Sequence, residues 1–425
     1  MLRGDFMEKE LYVDFADEII YENTFENGLK CFIIPKKGYV EKEVMFAVNY
    51  GSADNIFLKG DKVIEEPQGL AHFIEHKLFE QKNYNVFDEF SKYGASSNAF
   101  TNFNTTAYYF NCIDNFKENI NILFDFVSKP YFTKESVERE KDIISQEIKM
   151  YDDDPSWKVY FNLLKCLYNE HTIKNEIAGS TETIKDISED MLYENYKNFY
   201  TYKNSVVICA GDFDRNEVYN SIQEKLKLND ASNSKKIVRT EKAEVANSFI
   251  EQKMSIQVPM FYIGVKENLN KKNIAKKILG IKLLLDIVCG ESSEFYEMLY
   301  KKRYIDKSFG YAYTCGRDYG FLTLSGYSDN SDMVGELFLD EILKFQKKGI
   351  SDNQFDIIKN KHIGRFKREF NSLDGLISVQ ADFFSKGISL FDYSKELNSI
   401  DKTYIEKLIS DLFFKENVAL SLIVP

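Results

Sequence analysis

The chain has 425 residues, 44% apolar and 29% charged, with a formal net charge of −12. That length exceeds one ordinary hydrophobic core and implies at least two domains. With no long basic run, the acidic balance argues against nucleic acid and anionic membranes as partners.

Predicted elements follow in chain order. The start, Met1-Leu2-Arg3-Gly4-Asp5-Phe6, lacks the apolar stretch of a signal peptide. No run of about twenty apolar residues follows anywhere, so a soluble, cytoplasmic protein is expected. The six cysteines are scattered, without a C-x-x-C pair, and are expected to be buried reduced thiols. Residues 20–25 and 29–35 read as strands joined by the turn Asn27-Gly28, and 44–50 as a third strand ended by Gly51-Ser52. A helix is expected over 69–79, entered through Pro67, and a second over 86–93, stopped by Gly94. Residues 97–103 and 105–112 alternate as a strand pair. A long helical stretch is expected from about 116 to 200, interrupted at Pro130 and Pro155, and 205–210 form a strand closed by Gly211-Asp212. The polar, aperiodic residues 229–246 read as a linker.

The second half repeats the order of the first. Residues 187–208 and 400–423 both read as helix, Lys/Glu-Asn, apolar strand, while 86–109 and 295–324 both read as helix followed by two strands. The expectation is an α+β fold of two copies of one unit, with a first domain over 1–228 and a second over 247–425.

Four histidines are present, and two share a five-residue window with a glutamate: His72-Phe73-Ile74-Glu75-His76. On a helix, positions i, i+3 and i+4 share a face, so both imidazoles can reach one metal and zinc accepts such nitrogens. Zinc lowers the pKa of coordinated water toward neutrality, and Glu75 is placed to take the proton. The H-x-x-E-H order is the inverzincin pattern. A catalytic zinc needs a third protein ligand and an open position. The stretch from Glu135 to Glu147 offers Glu140 and Glu147, two helical turns apart, with Ile143 and Ile144 between them. Glu147 is the expected third ligand, with Glu140 orienting a ligand histidine. His171 and His362 lack such neighbours and read as structural.

These pieces resemble the pitrilysin/insulinase-type metallopeptidases over nearly the whole length. The matching runs are Gly69 to Phe79, Asn98-Ala99-Phe100-Thr101, and Glu140 to Asp154-Pro155. Gly94 to Thr101 and Gln146 to Pro155 look like the bacterial YmfH/AlbF-type branch. The resemblance implies two homologous domains, each an antiparallel sheet with helices packed on it, together one half-shell of a clam-shell dimer. It implies a zinc endopeptidase with His72, His76 and Glu147 as ligands, Glu75 as general base and Glu140 as outer carboxylate. Asn98 and Ala99 then lie on the strand that binds the substrate main chain by β-augmentation. Setting Gly280 against Gly69 puts Leu283, Asp286 and Ile287 opposite His72, Glu75 and His76, so one zinc per chain is expected. The family's substrate-holding Arg/Tyr pair is replaced by Tyr300 and Lys307 in the simplest register, or by Arg303 and Tyr311 in a slipped one. The short chain implies a dimer, either a homodimer or a heterodimer with a zinc-free homologous subunit, and that departure points to a zinc-free subunit that completes the site. The alternatives are a dedicated maturation protease for a ribosomally made peptide and a non-catalytic subunit of a processing complex.

Overall fold

The computed structural model describes residues 6–13, 16–230, 232–267 and 273–425. The first half opens with strands β1 (Phe6–Val13), β2 (Glu18–Phe25), β3 (Lys30–Pro35) and β4 (Lys42–Val48), then a hairpin of β5 (Ile56–Lys59) and β6 (Lys62–Glu65). Helices α1 (Leu70–Leu78) and α2 (Val86–Lys92) lead into β7 (Ser96–Thr101) and β8 (Thr106–Cys112). Helices α3 (Phe116–Ser128), α4 (Lys134–Asp152), α5 (Pro155–Leu167) and α6 (Glu189–Phe199) follow, then β9 (Ser205–Gly211) and α7 (Arg215–Lys225).

The second half runs β10 (Ser234–Lys236), β11 (Phe249–Lys253), β12 (Met260–Glu267), α8 (Ile274–Cys289), α9 (Glu294–Lys301), β13 (Gly310–Cys315) and β14 (Gly320–Tyr327). It ends with α10 (Ser331–Lys348), α11 (Asp352–Glu369), α12 (Leu373–Ser385), α13 (Leu390–Ser399), α14 (Lys402–Leu412) and β15 (Val418–Val424).

One sheet has the order β1-β2-β3-β9-β4-β8-β7 and another the order β11-β15-β12-β14-β13. The last five strands of the first sheet and the five of the second follow the same path. In each, one parallel pair (β3 with β9, β11 with β15) precedes three antiparallel pairings. The fold is α+β and the internal repeat is visible in the strand order. The sheets are antiparallel, as expected, apart from one parallel pair in each. Each such pair arises because the final strand of a unit returns through helices to lie beside the opening strand of the repeat.

The chain forms two compact units. The first comprises Met1–Ile148, Glu176–Ile237 and Lys367–Phe391, and the second comprises Lys149–Asn175, Val238–Phe366 and Asp392–Pro425. They differ from a sequential division at 1–228 and 247–425 by an exchange of segments. Helix α5 packs on β12 and β15, and α12 packs on β4 and β9. The sequence of β9, Ser-Val-Val-Ile-Cys-Ala-Gly, is buried along its whole length. Such a strand needs cover on both faces, and α12 supplies part of it.

Three further differences have local causes. Residues 168–188, expected to be helical, hold only short 3-10 turns at Thr172–Lys174 and Thr183–Asp186. Gly179 sits there at φ +76°, and Ser180 and Thr183 bond one another's backbone in place of a helical ladder. Inside the expected linker, β10 pairs with β5, and the Lys236 ammonium donates to Asp54 at 2.9 Å and to Asn49 at 2.8 Å. Strands β1, β5 and β6 were not expected. All six cysteines are buried, and no helix among the described residues is long and apolar enough to cross a membrane.

Candidate metal centre

Helix α1 begins at Gly69, which has φ +92°, a conformation that disfavours any side chain. A Cβ there would also fall 2.4 Å from the Ala178 carbonyl oxygen. This close approach fixes where the helix starts. Phe73, Ile74 and Leu78 are then buried in the core, which sets the rotation of the helix and brings His72, Glu75 and His76 to one side. The two imidazole centroids lie 4.5 Å apart.

Helix α4 supplies the facing carboxylates. Ile144 and Ile148 are buried and anchor the face that carries Glu140 and Glu147. Ile143, which lies between the two glutamates in sequence, is exposed. Glu147 Oε1 lies 3.5 Å from His72 Nε2, and Glu147 Oε2 lies 3.4 Å from His76 Nε2. The ligand atoms of His72, His76 and Glu147 all fall within 4.8 Å of one another, the one such group among the described residues. Two imidazole nitrogens and one carboxylate suit zinc, which accepts both donor types at four-coordinate sites.

Glu140 Oε1 sits 3.0 Å from His76 Nδ1. A carboxylate there holds the proton on Nδ1 and leaves Nε2 to face the metal position. Burial pushes the His76 imidazolium down, but Glu140, Glu147 and the charge of Glu75 outweigh it and raise its pKa to about 10. The field that retains this proton also favours a divalent cation in its place, by exchange of proton for metal.

Glu75 Oε2 accepts a hydrogen bond of 2.8 Å from the Thr101 hydroxyl, at the end of β7. This contact went unassigned in the sequence, although Thr101 closes a motif recognised there. Strand β7 is the outer strand of its sheet, with Asn98 opposite Tyr109 and Ala99 opposite Tyr108. The Ala99 amide donates to Asn98 Oδ1 at 2.8 Å, so the edge donor is covered by a side chain that can turn away. A second contact was also missed. Lys77, fully buried on α1, pairs with Glu80, and Glu80 Oε1 accepts from Arg139 of α4 at 2.9 Å. This chain of charges ties α1 and α4 together.

In the second unit, Asp286 on α8 is buried and holds cations instead of facing them across a metal. His362 Nε2 lies at 2.7 Å, Arg365 Nη1 at 2.9 Å and Lys361 Nζ at 3.1 Å, all from α11, and the Tyr311 hydroxyl also donates to it. Burial would raise the Asp286 carboxyl, but His362, Tyr311 and Lys361 together hold it well below the usual range. His171 Nε2 sits 3.2 Å from Asp318 Oδ1. His362 and His171 thus each sit beside a buried aspartate.

The fold and the facing helices define a class, and the comparisons agree with it. Residues 64–181 match Insulinase (Peptidase family M16), and residues 186–361 match the Peptidase M16 inactive domain. The chain belongs to the insulinase, or M16, peptidase family. It is 35% identical over 427 residues to YmfH of Bacillus subtilis (strain 168), described as an uncharacterized zinc protease, covering 99% of this chain and 100% of that one. Identity to AlbF of the same organism, provisionally described as a zinc protease, is 27% over 214 residues and spans 50% of each chain. The crystal structure of a provisionally assigned M16-like peptidase from Alicyclobacillus acidocaldarius superposes with a TM-score of 0.91 at 28% identity, covering 100% of this chain and 99% of that one.

Proposed function

We propose that this chain is a zinc endopeptidase that hydrolyses peptides or small unfolded polypeptides, with His72, His76 and Glu147 as ligands. The convergence of those three groups from two helices carries the reading. Zinc held there would supply Lewis acidity to a scissile carbonyl and lower the pKa of coordinated water. Glu140 orients His76, and Thr101 fixes one oxygen of Glu75. The other oxygen of Glu75 takes the proton of the attacking water and returns it to the leaving amine. The outer strand β7 offers Asn98 and Ala99 to the main chain of an extended substrate, which pairs as an added strand. The relatives' description as zinc proteases supports the same chemistry.

The assembly belongs to this reading. The chain acts as one half-shell of a clam-shell dimer, with a second copy or a zinc-free homologue enclosing the chamber. The engagement of Tyr311 with Asp286 favours a partner that supplies the substrate-holding groups. Six buried thiols suit a reducing cytoplasm.

The test is hydrolysis of a quenched fluorescent peptide library by the full chain, with and without a coexpressed homologous subunit. Glu75→Gln should retain zinc and lower kcat by about 10²–10⁴-fold. An unchanged kcat in that variant removes Glu75 from its role.

A further inference from the structure

A second polar concavity lies within the first unit, on the face of the sheet opposite α1. Thr101 reaches Glu75 on the α1 side, and side chains alternate along a strand. Ser96 and Asn98 therefore point to the other face. There a cavity of about 540 Å³ is lined by Glu41, Glu43, Ser96, Asn98, Asn111 and Asp374, among others. Ser96 stands opposite Asn111, and Asn111 opposite Glu43. The three form one row running from the free edge inward.

Glu43 is the unusual member. It is 4% exposed and has no side-chain hydrogen bond or ion pair among the described residues. Burial, the nearby charge of Asp374 and that of Glu41 push its carboxyl up to about 8. The same Asp374 and Glu43 charges, after burial, raise the Tyr109 phenol, which places that ring on the same cavity. A buried acid beside two more acids, with no paired cation among the described residues, holds its proton at neutral pH and ionises when a positive group enters.

We infer that this cavity is a specificity pocket for a lysine or arginine side chain of a peptide paired with β7. The inference rests on the peptidase reading for the presence of that peptide. An added strand lies about 4.8 Å outside β7, and Glu43 is two strands inside it, on the order of 10 Å from β7. Residues of the added strand that share the direction of Ser96 and Asn98 project toward the cavity. Short side chains stop over the edge. Lysine and arginine carry a cation inward past Asn98 and Tyr109 to the mouth of the cavity, into the field of its acids rather than into contact with Glu43, with their apolar stems over the ring. The pocket therefore selects one position of the substrate, every second residue of the added strand being oriented to fill it.

Binding tests this without relying on turnover. The full-length Glu75→Gln protein, zinc-loaded, is titrated with fluorescent decapeptides of neutral background that carry a single Lys, Arg or Gln at each position in turn. One register should bind Lys and Arg about tenfold more tightly than Gln. Adding Glu43→Gln, or separately the exposed Asp374→Asn, should lower that ratio several-fold. Asp374→Asn guards against a folding defect at the buried site. A Lys-to-Gln ratio that is the same at all positions, or is unmoved by both substitutions, overturns the pocket. Failure of the unsubstituted chain to cleave any peptide, both alone and with the coexpressed homologous subunit, while the ratio and its loss are intact, overturns the peptidase reading and leaves the pocket standing.

Discussion

Two carboxylates seven residues apart on α4 divide the work at His76. Glu147 meets the outward Nε2 and Glu140 holds Nδ1. Removing Glu140 frees the ring to turn and to change tautomer without deleting a ligand. Glu140→Ala should weaken zinc binding about 10–100-fold, measured by competition against a fluorescent chelator; an unchanged affinity would make Glu140 a bystander. His72, Glu75 and His76 were readable in the sequence because helical spacing alone brings them together. Glu147 was readable because a two-turn spacing on the next amphipathic helix offered it. Thr101 and the Lys77–Glu80–Arg139 chain were not, because their partners meet only through tertiary packing. A hydroxyl at the end of a strand, or a lysine after a motif, has no periodic signature that tells its partner. Glu43 is similar: its strand reads as apolar, and only the burial of its side chain marks it.

At the scale of elements, helix α1 depends on its entry. Gly69 needs both a positive φ and space against the Ala178 carbonyl. Gly69→Ala should therefore destabilise the protein by about 1–3 kcal/mol or more and shift α1 outward. Chemical denaturation read together with zinc content checks this. Wild-type stability and full zinc occupancy would contradict it. Helix and strand positions near the site were legible because Pro67, Asn27-Gly28, Gly94 and Pro155 punctuate them. The segment 168–188 was not, since its Ser and Thr bonds to the backbone compete with a helix in ways that composition alone does not rank. Strand β10 was hidden in a polar stretch because its pairing with β5 is anchored by one lysine rather than by an apolar face.

At the scale of the whole chain, one plan is used twice with different electrostatics. In the first unit α1 and α4 present imidazoles and carboxylates toward a common point. In the second, α8 and α11 meet through Asp286 and the side chains of Lys361, His362 and Arg365. Protein cations fill there the place that an ion would neutralise in the first unit, and the helix pair is closed by its own charges. The duplication was legible in the order of helices and strands. The exchange of α5 and α12 between the units was not, because an amphipathic pattern shows that a helix buries a face without showing which sheet receives it.

The claim that two imidazoles and Glu147 hold one divalent ion is tested most directly by the zinc-to-protein ratio of the purified full chain after dialysis, by elemental analysis. One zinc per chain is expected in the wild type, and its loss in both His76→Ala and Glu147→Ala. Full zinc retained in either variant, or none bound by the wild type when supplied with the metal, would contradict it.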